Sequence, residues 1–145
     1  MIIHDKDCFL LDLDGTLLDL KFDHKFWFEH VVLCFSQKEK IEFEDAKNTL
    51  SELYKNERGT LKWYCTDYWS EKLGLDLKRI TETYMNDIQD FEGTHTFLAN
   101  LQSMKKTIII VSNAHRDTIN IKLTKTKLWG YFDDVISSHD FGYPK

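Results

Sequence analysis

Proline is almost absent from this sequence, with Pro144 its only instance, and no repeat, low-complexity tract or proline-rich linker divides the chain. Cysteine is sparse too. Cys8, Cys34 and Cys65 are odd in number, widely spaced and without a C-x-x-C, which argues against a disulfide framework or a zinc knuckle and predicts three reduced core thiols. Long apolar runs are missing: Phe9-Leu11 and Ile108-Val111 are far too short to cross a bilayer. The N-terminal "MIIHDKD" has neither the basic start nor the apolar stretch of a signal peptide. A cytoplasmic protein without a membrane partner is expected. Blocks of basic residues are absent as well: 19 Lys and Arg against 24 Asp and Glu give a net charge of -5, with no patch suited to a polyanion. Nucleic acid is therefore not an expected partner.

What is present suits one compact domain of 145 residues with a modest insertion. Three short apolar runs, Cys8-Leu13, Thr107-Ser112 and Asp134-Ser137, read as strands of a parallel sheet buried on both faces. Helical patterns over Thr94-Ser103 and Arg116-Leu128 surround the second strand, the latter stopped by Gly130, and this is the grammar of βαβ units. The expected fold class is α/β, a Rossmann-like parallel sheet. Between the first strand and that framework the pattern is all helical: His24-Lys38, Glu42-Asn56, Leu61-Leu73 and Leu77-Ile88, the last opened by Asp76 as N-cap. Residues 20–90 are thus read as a helical insertion, and residues 1–19 with 91–145 as the core. Asp19-Phe22 and Asp90-Thr94 are the expected hinges.

The first strand ends in "DLDGT". Asp12 and Asp14 straddle Leu13, so on a regular strand both carboxylates face one side. Two like charges so close are tolerable if a divalent cation sits between them or one acid keeps its proton, and hard oxygen ligands suit Mg²⁺. Gly15 lets the chain turn with positive φ and offers backbone N–H groups, and Thr16 adds a hydroxyl. A carboxylate beside Mg²⁺ and such donors is a competent nucleophile toward phosphorus. Asp12 is accordingly read as nucleophile and Asp14 as the acid/base that protonates the leaving alkoxide and later deprotonates water. A calcium loop of EF-hand type fits poorly, since it wants its glycine at the sixth position and a helix in front. A strand that merely ends in a polar turn is the plainer reading of D-G by itself.

Further along, "IIIVSNAH" delivers Ser112 and Asn113 to the carboxyl end of the second strand, the edge where open α/β sheets gather ligands. Beyond the third strand, "SSHDFGYPK" ends in Lys145, whose ammonium can hold a phosphate oxygen. Taken singly, each has a blander use, as a helix cap or a solvated charge. Asp133-Asp134 precedes its strand and should lie at the opposite edge of the sheet.

In this order, strand-"DLDGT", strand-"S" and a later lysine, the chain resembles the haloacid-dehalogenase-like hydrolases over its whole length. The resemblance implies that Asp12 forms an aspartyl-phosphate with Mg²⁺ bound at Asp12 and Asp14, that Asp14 is the acid/base, and that Ser112 and Lys145 bind the phosphoryl group. By the same resemblance, Asp14 in place of an apolar or aromatic residue favours phosphate over haloalkane substrates. The helical insertion is similar to the family's mobile cap. More narrowly, "LLDLDGTLLDLKFDHKFW", "LKWYCTDYWSEKLGLD", "SNAH" and "FGYPK" resemble bacterial GMP/IMP 5′-nucleotidases, which implies a purine nucleoside 5′-monophosphate as substrate. Family members continue past the lysine into a strand with a pair of acids that completes the Mg²⁺ site. The expectation is therefore an N-terminal part of a phosphatase, inactive as 145 residues alone.

For the leaving group, Phe22 and Asp23 at the entry hinge and Trp63 in the helical section are the candidate contacts, while Tyr64 and Tyr68 align with Leu61 as a core stripe. His115 reads equally as a capping, surface or catalytic residue. Two other functions stay open: a sugar-phosphate phosphatase or phosphomutase built on the same core, and a non-catalytic fragment that binds phosphate or a partner.

Overall fold

A computed structural model describes residues 6–145. Three parallel strands, β1 (Cys8–Leu11), β2 (Thr107–Ser112) and β3 (Asp134–Ser137), form a sheet in the order β1-β2-β3. Phe9 faces Ile108 and Leu11 faces Ile110 across one ladder, and Ile110 faces Val135 and Ser112 faces Ser137 across the other. The core collects Phe9, Ile108, Ile110 and Val135 with residues of the helices. β1 is shorter than the expected Cys8-Leu13. The Asp12 side chain accepts from Leu13 N at 2.8 Å, and the Leu13 carbonyl accepts from Leu17 N and Leu18 N, so the backbone turns where a longer strand would have continued. Asp133-Asp134 lies at the start of β3, away from the strand ends that carry Asp12 and Ser112. Asp133 Oδ2 there accepts from Ile108 N at 2.8 Å.

The helical section runs α1 (Lys21–Lys25), a π-helical turn (Phe26–His30), α2 (Val31–Glu39), α3 (Phe43–Glu57), α4 (Thr66–Leu73) and α5 (Leu77–Tyr84), with short 3₁₀ turns at Leu61–Tyr64 and Met85–Asp87. Asp76 caps α5 as expected, accepting from Arg79 N at 2.9 Å. The expected helix Leu61-Leu73 is broken at Cys65, whose backbone is extended and whose sulfur accepts from Tyr68 N at the start of α4. The stripe expected from Tyr64 and Tyr68 is only half-buried. Trp69 takes the centre instead, fully buried and edge-on to both Tyr54 and Trp27.

The remaining helices cover the sheet. α6 (Thr94–Ser103) packs against β2, and α7 (Arg116–Thr126) follows β2 and reaches α5. α7 ends earlier than expected. Lys127, not Gly130, adopts the left-handed conformation (φ 59°), and Leu128 N donates to the Leu123 carbonyl to close the end. The cysteines are free, as expected, but none is a core thiol: Cys8 is exposed, and Cys34 and Cys65 are half-buried.

The chain crosses from sheet to helical section and back side by side. Leu18 and Asp90 form an antiparallel bridge, Asp19 N donates to the Gln89 carbonyl and Phe91 N to that of Leu17. Thr94 Oγ1 adds a donation to the same Leu17 carbonyl at 3.1 Å. Both expected hinge segments therefore meet directly behind the "DLDGT" turn.

Candidate active site

The turn after β1 is a hydrogen-bonded knot that fixes two acids. Gly15 has φ +78° and donates from N to the Leu18 carbonyl at 2.8 Å. The positive φ favours glycine, while an added Cβ would meet only the Leu20 side chain, at 3.2 Å. Thr16 is exposed, and its amide makes a long 3.4 Å bond to the Leu13 carbonyl. The amides of Leu13, Gly15 and Thr16 are thus spent inside the turn.

Asp12 Oδ1 accepts from Leu13 N at 2.8 Å and forms an ion pair with Lys145 Nζ at 2.6 Å. The same ammonium donates to the Val111 carbonyl at 2.8 Å, and Lys145 N donates to Asn113 Oδ1 at 2.8 Å. Ser138 Oγ donates to that Asn113 oxygen as well. Ser112 is buried, and its Oγ accepts from Ala114 N at 3.1 Å, a turn-capping role that leaves the hydroxyl hydrogen free to donate. Residues from both ends of the sequence thus converge at the carboxyl ends of β1 and β2.

Asp14 has a partner that sequence reasoning missed. Lys122 of α7 is 1% exposed, and its Nζ lies 2.6 Å from Asp14 Oδ1 and 2.6 Å from Asp23 Oδ1. Burial works against its ammonium, but the two carboxylates outweigh that cost and hold the pKa above the ordinary lysine value. Asp23 goes the other way: burial first, then the charge of Asp14, pushes its carboxyl up despite Lys122. Two acids share one cation here, so the second negative charge is the less welcome one. The signal in the sequence was a charge in an apolar stripe, since Lys122 sits three residues after the buried Ile119 and next to the buried Leu123.

Beside this network opens a cavity of about 340 Å³, lined by Asp14, Phe22, Asp23, Trp63, Tyr64 and His115 among others. All three candidate leaving-group residues border it. Asp23 Oδ2 is buried there without a hydrogen-bond partner. His115 precedes α7 and points its Nε2 to within 3.5 Å of Asp67 Oδ2, while its ring centre lies 5.1 Å from that of His139. Burial, followed by the neighbouring His115, holds His139 below the ordinary imidazole value.

A parallel sheet whose first strand ends in a paired-acid turn, with a lysine on the first acid, defines a class, and the comparisons agree with it. The family description "Haloacid dehalogenase-like hydrolase" matches residues 9–145, and the chain belongs to that family. Its curated relatives include the GMP/IMP nucleotidase YrfG of Escherichia coli (strain K12), 40% identical over 141 residues that make up 97% of this chain and 64% of the relative. The Shigella flexneri protein of that name matches to the same extent. The chain therefore spans just under two thirds of the length of these relatives. Among solved structures, the HAD phosphatase of Thermococcus onnurineus superposes with a TM-score of 0.80 at 25% identity, over 93% of this chain and 63% of that one. The magnesium-bound YfnB of Bacillus subtilis shares the fold, with a TM-score of 0.60 at 20% identity over 95% of this chain and 67% of that one.

Proposed function

We propose that the whole protein is a Mg²⁺-dependent phosphomonoesterase acting on purine nucleoside 5′-monophosphates such as GMP and IMP, with Asp12 as nucleophile. The observation that carries this reading is the aromatic cavity at the acid pair: Phe22, Trp63 and Tyr64 line the same space as Asp14. Stacking on such faces contributes roughly 1–3 kcal/mol per base and suits a purine better than a sugar. Asp23 Oδ2, an acceptor without a donor, is suited to a ribose hydroxyl or a base N–H. The name of the curated relatives supports the same substrate class.

The acid pair fits a hard cation. Lys145 and Lys122 take one oxygen each, Asp12 Oδ1 and Asp14 Oδ1, which leaves Asp12 Oδ2 as a carboxylate donor of the kind Mg²⁺ prefers and Asp14 Oδ2 as the oxygen that carries the transferable proton. When bound, the cation offsets the charge of the phosphoryl oxygens and so reduces their repulsion of the incoming carboxylate. Lys145, anchored to the Val111 carbonyl, holds one phosphoryl oxygen, and the Ser112 hydroxyl donates to another. Asp12 then attacks phosphorus, the P–O bond to the leaving group breaks, and Asp14 gives its proton to the departing oxygen. In the second half Asp14 takes a proton from water as that water attacks the aspartyl-phosphate, releasing phosphate and restoring Asp12. Lys122 and Asp23 position Asp14 throughout.

Residues 20–90 act as a cap in this reading, hinged where Leu17-Asp19 and Gln89-Phe91 are stitched together, and closure over the acids excludes water. The protein works in the cytoplasm on a small phosphorylated substrate; no helix of the described residues is long and apolar enough to cross a membrane. The test is phosphate release by the whole protein from GMP, IMP, glucose 6-phosphate and p-nitrophenyl phosphate, with Mg²⁺ and with a chelator. Efficient, chelator-sensitive release from the two nucleotides is expected. Preference for the sugar phosphate would make the protein a sugar-phosphate phosphatase or phosphomutase, and no release from any ester would leave a phosphate-binding protein.

A further inference from the structure

Besides the acid pair, three side chains from three separate segments come together. Cys65 precedes α4 in the helical section, His115 precedes α7 after β2, and His139 follows β3. The sulfur and one ring nitrogen from each histidine lie within 4.8 Å of one another. Two of those rings carry buried nitrogens without any hydrogen-bond partner, His115 Nδ1 and His139 Nε2. An unsatisfied buried nitrogen is costly and calls for an explanation; two of them beside a thiol suggest a ligand that accepts electron pairs.

From this geometry we infer that Cys65, His115 and His139 form a Zn²⁺ site that joins the helical section to the sheet at the mouth of the cavity. Thiolate sulfur and neutral imidazole nitrogen are the donors zinc favours, at about 2.3 Å and 2.0–2.1 Å, so ligand atoms in a tetrahedral site lie roughly 3.3–3.8 Å apart. A side-chain adjustment of about 1 Å brings atoms from the present separation into that range. Three protein ligands leave a fourth position for water, and the cation releases the thiol proton as it binds. Asp67 supports the site from outside. Its carboxylate, 3.5 Å from His115 Nε2, favours the tautomer with hydrogen on that nitrogen and the lone pair on Nδ1, the atom that lacks a partner. The cysteine sits on the helical section, His115 at the start of α7 and His139 in the 3₁₀ turn Ser138–Asp140 after β3, so a bound cation fastens the two parts together. The absence of a C-x-x-C does not bear on such a site, because its ligands come from three distant stretches of chain. This inference is independent of the phosphatase reading.

The test is cobalt titration of the full chain, followed by displacement with Zn²⁺. One equivalent of Co²⁺ should produce tetrahedral visible bands and a near-ultraviolet sulfur-to-metal charge-transfer band, and Zn²⁺ should abolish both. Cys65→Ser should remove the charge-transfer band, and His139→Gln should weaken binding by more than roughly tenfold. Circular dichroism checks that both variants fold; if Cys65→Ser does not, His139→Gln carries the test. A charge-transfer band that survives in Cys65→Ser, which would come from Cys8 or Cys34, overturns the site. So does cobalt bound with oxygen-type bands alone, which would put the ion on the acid pair or on Asp67, His115 and Asp117, a second group of closely spaced ligand atoms. Unchanged affinity in a folded His139→Gln variant overturns it as well.

Discussion

Lys145 Nζ forms an ion pair with Asp12 Oδ1 at 2.6 Å while the Val111 carbonyl accepts from the same ammonium at 2.8 Å. The lysine is thereby fixed to the end of β2 before any substrate arrives. In the proposed reaction a phosphoryl group entering beside Asp12 would find its counter-charge already oriented, without the cost of ordering a free side chain.

Asp12→Asn in the whole protein should abolish turnover, because an amide in that position forms no acyl-phosphate. Steady-state phosphate release from GMP is the measurement. Wild-type rates in the variant would remove Asp12 as the nucleophile.

Asp14→Asn should divide substrates by leaving group. Nitrophenyl phosphate, whose phenolate departs without a proton, should still phosphorylate Asp12, whereas GMP should be slowed by roughly the 10²–10⁴-fold associated with loss of general acid catalysis. Burst-phase kinetics on both esters reads the difference. Equal losses on the two would contradict the proposed role.

Lys122→Met should be among the most destabilising single changes in the chain. It leaves Asp14 and Asp23 facing each other with no cation, and removal of one partner from a buried ion pair costs about 3–5 kcal/mol. Adding Asp23→Asn to that variant should recover part of the loss, since one of the two unpaired charges is gone. Urea denaturation of the three proteins gives the comparison, and a Lys122→Met variant as stable as wild type would contradict it.

Alkaline stability follows from the same residue. The folded-state pKa of Lys122 lies above the 10.5 of an unperturbed lysine, so its contribution is fully present below 10.5 and is lost as pH rises through the folded value. Wild-type melting temperature should therefore fall in that window more steeply than that of Lys122→Met. Parallel curves in thermal scans over this range would show that Lys122 makes no such contribution.

The parts of the site that were legible in the sequence are those carried by local pattern. Asp12 and Lys145 follow, and Ser112 ends, a strand whose apolar run is plain, and the order of the strands sends them to one edge. Lys122 was not legible in this way, because its partners lie 108 and 99 residues away and nothing nearby explains a charge in the buried face of α7. The break at Cys65 has no glycine or proline to announce it; a sulfur took the capping position usually held by an oxygen. At the end of α7 the glycine misled, since Lys127 accepted the left-handed conformation three residues before Gly130.

A ribosome makes the two acids long before it makes their shared cation. At ordinary synthesis rates the 108 and 99 residues that separate Asp14 and Asp23 from Lys122 take roughly 5–20 s to appear. During that interval the carboxylates repel each other and keep their water, so the entry to α1 cannot settle against the "DLDGT" turn. The helices between them can form locally and wait. The contact closes only when α7 emerges and carries its ammonium inward, so the loop-closure entropy of this pairing is met late in synthesis.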